Sequence, residues 1–175
     1  MKFKKIKKRF LEKKYKALLK EPISKKEPVH RNITTVGILS VNSISMQEDL
    51  QERIANVLHV RNAKIYSFRP YSKENESSYK HFSENDFDWK GNITDSSLHA
   101  FLETEFDLLI TFFDQRHLYL EYVTLLSKAT FKVGHTVLNE NLFDLEVNTE
   151  NRDLVSYLNE TKKYLQILGR MDKHL

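Results

Sequence analysis

The spacing of apolar residues changes along the chain and divides it into a helical arm, a linker and a larger body. Within residues 1–20, seven large apolar residues recur every three or four positions, which indicates an amphipathic helix. Pro22 disfavours a continued helix, and the polar segment 21–31 that surrounds it predicts a linker. Residues 32–175 then predict one folded domain, long enough to bury a core.

In the body, short apolar runs alternate with segments in which apolar residues recur at helical spacing. The segment ITTVGILSV from Ile33 is rich in β-branched residues and nearly all apolar from Val36 to Leu39, and FDLLITFFD from Phe106 is an apolar run bounded by two Asp residues, so both indicate strands buried on two faces. Further strands are predicted within 63–71, 130–136 and 141–147, and helices within 46–60, 96–105, 118–129 and about 151–171.

This alternation predicts an α/β fold with a mostly parallel sheet covered by helices on both faces. The expected architecture is a three-layer Rossmann-like or flavodoxin-like sandwich, with the basic N-terminal helix added to it. Residues 71–94 interrupt the alternation and predict a long polar loop with at most a short helical turn. Trp89, the only tryptophan, is expected to pin this loop to the core.

Charge is distributed very unevenly. Residues 1–30 carry twelve Lys or Arg and three Glu, whereas the other 145 residues carry sixteen Lys or Arg and twenty-one Asp or Glu. The net charge of +4 therefore hides an acidic body with a basic arm, and clustered charge selects partners. The candidate binding residues are Lys4, Lys5, Lys7, Lys8, Arg9, Lys13, Lys14 and Lys16.

Several roles are open for this arm. It could pack its apolar side on the body with its lysines solvated, contact a protein partner, bind RNA by neutralising phosphates, or lie on an anionic membrane surface. The sequence shows no RNP-like motif and no aromatic platform beside the arm, which speaks against RNA. The apolar arc is interrupted by lysines and lacks Trp, which speaks against a membrane.

Motifs for known chemistry are absent from the sequence. The chain has no Cys, no G-x-G-x-x-G, no Walker A sequence, no G-x-S-x-G and no H-E-x-x-H, so we expect neither a cofactor nor a metal. Ligands of open α/β sheets bind beyond the carboxyl ends of the strands, which selects Asp114, His117 and His135 as weak catalytic candidates. Asp114 could orient either His as a base, or simply cap the next helix, and His135 could be a structural histidine.

The segments TTVGILSV, FDLLITFFD and SKATFKVG, with a terminal helix ending KKYLQIL, resemble an uncharacterised family of Bacteroidota proteins, a domain of unknown function of about this length. The resemblance covers most of the chain, including its Lys-rich start. It implies a bacterial, cytoplasmic protein without an assigned activity, and it brings no site residues.

Together these patterns favour a non-enzymatic binding protein whose arm contacts RNA, an anionic membrane surface or a protein. A small enzyme or ligand-binding domain around Asp114, His117 and His135 is the second hypothesis, and a structural subunit of a homo-oligomer is the third. We expect a cytoplasmic protein without an integral membrane segment, and a membrane-peripheral location is the alternative.

Overall fold

A computed structural model describes residues 2–20, 32–47, 49–75, 78–113, 115–135, 141–149 and 153–172; the predicted linker 21–31 lies outside them. The described residues form six strands and six α-helices, together with a 3₁₀ turn. In chain order these are α1 (Lys2–Leu18), β1 (Thr35–Val41), α2 (Asn42–Gln47), α3 (Leu50–Val57), β2 (Asn62–Phe68), β3 (His81–Phe82), the 3₁₀ turn (Glu84–Asp86), α4 (Ser96–Glu103), β4 (Leu108–Phe112), α5 (Leu118–Leu126), β5 (Lys132–His135), β6 (Leu145–Val147) and α6 (Leu154–Ile167).

All the strands of the described residues are parallel and belong to one sheet in the order β3-β2-β1-β4-β5-β6. At its centre Ile38 of β1 lies opposite Ile65 of β2 and Ile110 of β4. The predicted α/β fold is therefore confirmed. The strand order is that of the Rossmann arrangement and differs from the flavodoxin order, so it decides between the two architectures expected from the sequence.

Neighbouring residues of the central strands point into two separate cores. Leu39 and Leu109 belong to the core beneath α1, α4 and α5, whereas Ile38 and Ile110 belong to the core beneath α2, α3 and α6. Each strand must therefore be apolar at consecutive positions, which is why the sequence shows continuous apolar runs and not alternation.

The helix predicted over residues 46–60 is in fact two helices. α2 follows β1 directly and α3 begins at Leu50, with Asp49 between them in a left-handed conformation at φ 44°. The turn at Asp49 takes Met46 off the apolar stripe of α3, and Met46 is 76% exposed. The prediction of one continuous stripe from Met46 onward was therefore wrong.

The segment 71–94 contains more structure than a polar loop. Its two-residue strand β3 forms one edge of the sheet, and an isolated antiparallel bridge joins Phe87 to Ile93. Phe82 and Phe87 are the buried anchors of this segment. Trp89 is 56% exposed, so the prediction that it pins the loop to the core was wrong.

A close contact lies at the second edge of the sheet. Gly134 in β5 faces the ring of the buried Phe143, and a β-carbon on Gly134 would overlap that ring. Because residue 134 has no side chain, the segment before β6 can pack directly against β5.

Candidate functional site

The inner face of α1 is docked on the body. Leu11 and Tyr15, one helical turn apart, are buried in the core that α4 and α5 cover. The Tyr15 hydroxyl donates a hydrogen bond to Oε2 of Glu121, a residue that is only 2% exposed. Oε1 of Glu121 accepts the backbone N–H of His117 at 2.9 Å, so this side chain connects α1 to the start of α5.

A second set of contacts joins α1 to the turn at residues 88–92. Leu11 lies against Gly91, and Lys14 Nζ donates to Asn92 Oδ1 at 2.6 Å. The ring of Phe10 meets Trp89 edge to face, with 5.7 Å between the ring centroids. The apolar side of α1 thus packs on the body, as one of the sequence interpretations expected, and the outer side of the helix is exposed.

The outer side of α1 carries a row of cations. We call these five exposed side chains the cationic ridge: Lys5, Arg9, Lys13, Lys16 and Lys20. At 100° per residue the four that lie on α1, Lys5, Arg9, Lys13 and Lys16, fall within an arc of about 80°, and their backbone positions span about 16.5 Å along the helix axis. Lys20 follows in the turn after α1. Of the other predicted binding residues, Lys8 is exposed, Lys7 and Lys14 are half-buried, and the Lys4 side chain lies outside the described ones.

Apolar side chains follow one edge of the cationic ridge. Ile6 is 46% exposed, Phe10 is 42% exposed, and Trp89 continues the patch from the neighbouring turn. We call the two rings, Phe10 and Trp89, the aromatic flank. Sequence reasoning missed it because Trp89 and Phe10 are distant in the chain; the only available signal was a single tryptophan inside an otherwise polar segment.

At the carboxyl ends of the strands, His117 has a structural role. Its Nδ1 accepts the backbone N–H of Leu120, so His117, and not Asp114, is the N-cap of α5. Its ring packs against Phe68, with ring centroids 4.3 Å apart, and near Tyr119. Burial among these rings lowers the pKa of His117 despite the opposing influence of the Glu121 carboxyl group.

The second candidate imidazole lies elsewhere. His135 is buried, stacked on Tyr157 with ring centroids 4.3 Å apart and near Phe112, in the core beneath α6. The aromatic residues around His117 belong to the opposite core. The structure therefore does not bring these two imidazoles together, and Asp114 lies outside the described residues.

A family comparison gives the chain its place among known proteins. The model of DUF6913, a family of unknown function, matches residues 7–168. The chain belongs to this family. No curated protein and no solved structure matches it.

The DUF6913 domain also has an open groove of about 510 Å³ beyond β2 and β3. His81 contacts Ser78 Oγ there at 2.7 Å, and burial together with the nearby Arg69 and Lys80 charges lowers the pKa of His81.

In the part of the chain that is described, no three His, Asp or Glu residues are grouped to hold a metal. None of the described helices combines the length and apolarity needed to cross a bilayer.

The half-buried His117 predicts a pH dependence for the stability of the DUF6913 domain. Because its folded pKa is lowered, the unfolded chain binds the proton first, and stability is lost as the pH falls from about 6.5 toward the folded pKa. His117→Asn keeps an N-cap acceptor and removes the titration. The free energy of unfolding in urea, measured between pH 5 and 8, should fall less steeply with decreasing pH in His117→Asn than in the unmodified protein. The difference in slope should be at most about 1.4 kcal/mol per pH unit. Parallel curves for the two proteins would contradict this assignment.

Proposed function

We propose that this protein is a non-enzymatic RNA-binding protein whose cationic ridge contacts the phosphate backbone. The observation that carries the proposal is the exposed row of five cations, four on α1 and one in the turn after it, on a helix whose opposite face is buried in the fold. Lys and Arg side chains that neutralise phosphates supply most of the affinity in sequence-independent binding of nucleic acids.

The docking of α1 supports this function. Leu11, Tyr15 and the hydrogen bond to Glu121 hold the helix on the body, so the orientation of the ridge is fixed before a ligand arrives. Successive ridge cations are three or four residues apart, or about one per helical turn of about 5.4 Å. A flexible phosphodiester backbone can place a phosphate near each of them, and preorganised cations lose little entropy on binding.

The arrangement of polar and apolar residues favours RNA over an anionic membrane. A helix that lies in a membrane surface turns an apolar face toward the lipid, with cations on its polar side. On α1 the centre of the exposed face is cationic, and the apolar Ile6 and Phe10 lie at one edge, each more than half covered. Leu11 and Tyr15, which would have to insert into a membrane, are already buried in the protein.

The proposal is tested by measuring binding to a fluorescein-labelled 12-nucleotide oligouridylate by fluorescence anisotropy between 50 and 300 mM KCl. Five phosphate contacts on a single strand predict a slope of log K against log salt of about −3.5. The triple variant Lys5→Gln, Arg9→Gln, Lys13→Gln should bind at least about tenfold more weakly in 100 mM salt, with a slope flatter by about 2. Gln is a good helix former, so α1 is retained.

The matched control removes three exposed cations elsewhere, by Arg61→Gln, Lys64→Gln and Lys163→Gln. This control should keep the affinity of the unmodified protein to within about twofold. Failure of the unmodified protein to bind, or an equal loss in both triple variants, would refute the ridge as the RNA contact. Binding to phosphatidylserine vesicles in preference to the oligonucleotide would replace RNA by a membrane surface.

The other sequence hypotheses stay predictions. A catalytic or ligand site around Asp114, His117 and His135 has less support, because the two imidazoles lie in opposite cores. A homo-oligomer, a protein partner for α1, and the bacterial and cytoplasmic setting implied by the family resemblance also stay predictions.

A further inference from the structure

We infer that the aromatic flank stacks a base of single-stranded RNA whose phosphates lie on the cationic ridge. This inference rests on the proposed function and adds to it a preference for unpaired strands. The ring of Trp89 meets that of Phe10, and Phe10 directly follows Arg9 of the ridge, so a strand that crosses α1 can reach both kinds of contact. A cationic groove with aromatic stacking partners is the usual combination in proteins that bind single strands.

The turn that carries Trp89 is firmly built. The Asp88 carboxylate accepts the backbone N–H groups of Lys90 and Asn92 and the side-chain amide of Asn92, each at 2.8 Å. These hydrogen bonds, led by the backbone contact with Asn92, lower the pKa of Asp88. The Tyr122 hydroxyl donates to the Gly91 carbonyl at 3.2 Å, which fixes the turn to α5.

Trp89 is therefore presented to solvent by an ordered turn. Phe87, two residues earlier, is buried, so only Asp88 separates an anchor in the core from an exposed indole. Exposing more than half of a Trp side chain leaves apolar surface in water, which a stacked base would cover. The rigid turn also reduces the entropy lost when the base binds.

Charge around the flank identifies the occupant as an anionic polymer. Lys90 Nζ lies 5.0 Å from the centre of the Trp89 ring, and Arg9 and Lys13 of the ridge are close along the helix to Phe10. An apolar protein partner would offer no anionic group to pair with these cations. A nucleotide offers an aromatic base for Trp89 and a phosphate for the neighbouring cations.

Single-stranded RNA is favoured over a duplex because the bases of a duplex are already stacked on one another. A duplex can use the cationic ridge through its phosphates, but it must open to place a base against Trp89, which costs pairing and stacking free energy. Recognition of RNA through stacked bases is accordingly directed mainly at single strands, loops and ends.

The experiment uses Trp89 as its own reporter, because it is the only tryptophan in the chain. Titration with unlabelled 12-nucleotide oligouridylate should quench Trp89 fluorescence along the same curve that the anisotropy of the labelled oligonucleotide follows. Trp89→Ala should weaken binding of the single strand about tenfold. The affinity for a 12-base-pair RNA duplex should stay within twofold, and Lys64→Gln serves as the exposed-residue control for both ligands.

The outcomes separate the two proposals. Saturating anisotropy with unchanged Trp89 fluorescence, or an equal loss of single-strand and duplex binding in Trp89→Ala, would overturn the stacking inference and leave RNA binding by the ridge in place. Absence of any anisotropy change with the unmodified protein would overturn the proposed function itself, and the inference with it. Quenching together with a selective loss of single-strand binding would support both.

Discussion

Replacing Gly134 by Ala is expected to destabilise the fold by about 3 kcal/mol. Alanine normally favours a strand over glycine by about 0.5–1 kcal/mol, so an ordinary position in β5 would gain stability. At residue 134 the added methyl group would overlap the ring of Phe143, which is buried and has little room to move. The free energy of unfolding in urea, measured by circular dichroism, checks both the sign and the size.

The clash with Phe143 can be separated from other effects by a double-mutant cycle. Phe143→Leu removes the ring atoms that the new methyl group would meet. In this background Gly134→Ala should cost less than about 1 kcal/mol, so the coupling free energy between the two positions is large. An equal cost in both backgrounds would show that Phe143 is not the obstacle.

Replacing Leu11 by Ala is the second change with a large expected effect. Leu11 is fully buried in the core although it belongs to the basic arm, and truncation of such a leucine costs about 2–5 kcal/mol. The loss should appear in the unfolding of the whole domain, because Leu11 shares its core with residues of α4 and α5. In the unmodified protein, the urea transition measured by Trp89 fluorescence should coincide with the one measured by circular dichroism.

The control for Leu11→Ala is Lys16→Ala, an exposed position on the same helix. This change should alter the free energy of unfolding by less than about 0.5 kcal/mol. If Leu11→Ala were equally mild, α1 would contribute nothing to the fold. A Trp89 transition that precedes the circular dichroism transition would show that α1 detaches before the sheet unfolds.

Much of the fold could be predicted from the sequence because the parallel strands are buried on both faces. Val36–Leu39 and the run after Phe106 are recognisable without an alignment, since few soluble elements other than such strands are apolar at consecutive positions. β3 escaped detection because two residues show no period. The break before α3 escaped because Asp49 turns the chain without a Gly or Pro to mark it.

The candidate site was predictable only in part. The cations of α1 follow from counting charges, but their relation to the body depends on Leu11, Tyr15 and Glu121, whose contacts join segments far apart in the chain. Trp89 is the clearest case, because its partner Phe10 lies on the arm that the sequence separates from the body by a linker. Long-range pairings of this kind leave no local pattern in the residues themselves.

The two ends of the sheet also bear on how copies of this protein meet. In the described residues the edge strand β3 has two residues and the opposite edge strand β6 has three. Such short edges present few unpaired backbone N–H and C=O groups, which is one way in which natural proteins prevent strands of separate molecules from pairing. Assembly by sheet extension is therefore disfavoured, and a solution of this protein should resist fibrillar aggregation while folded.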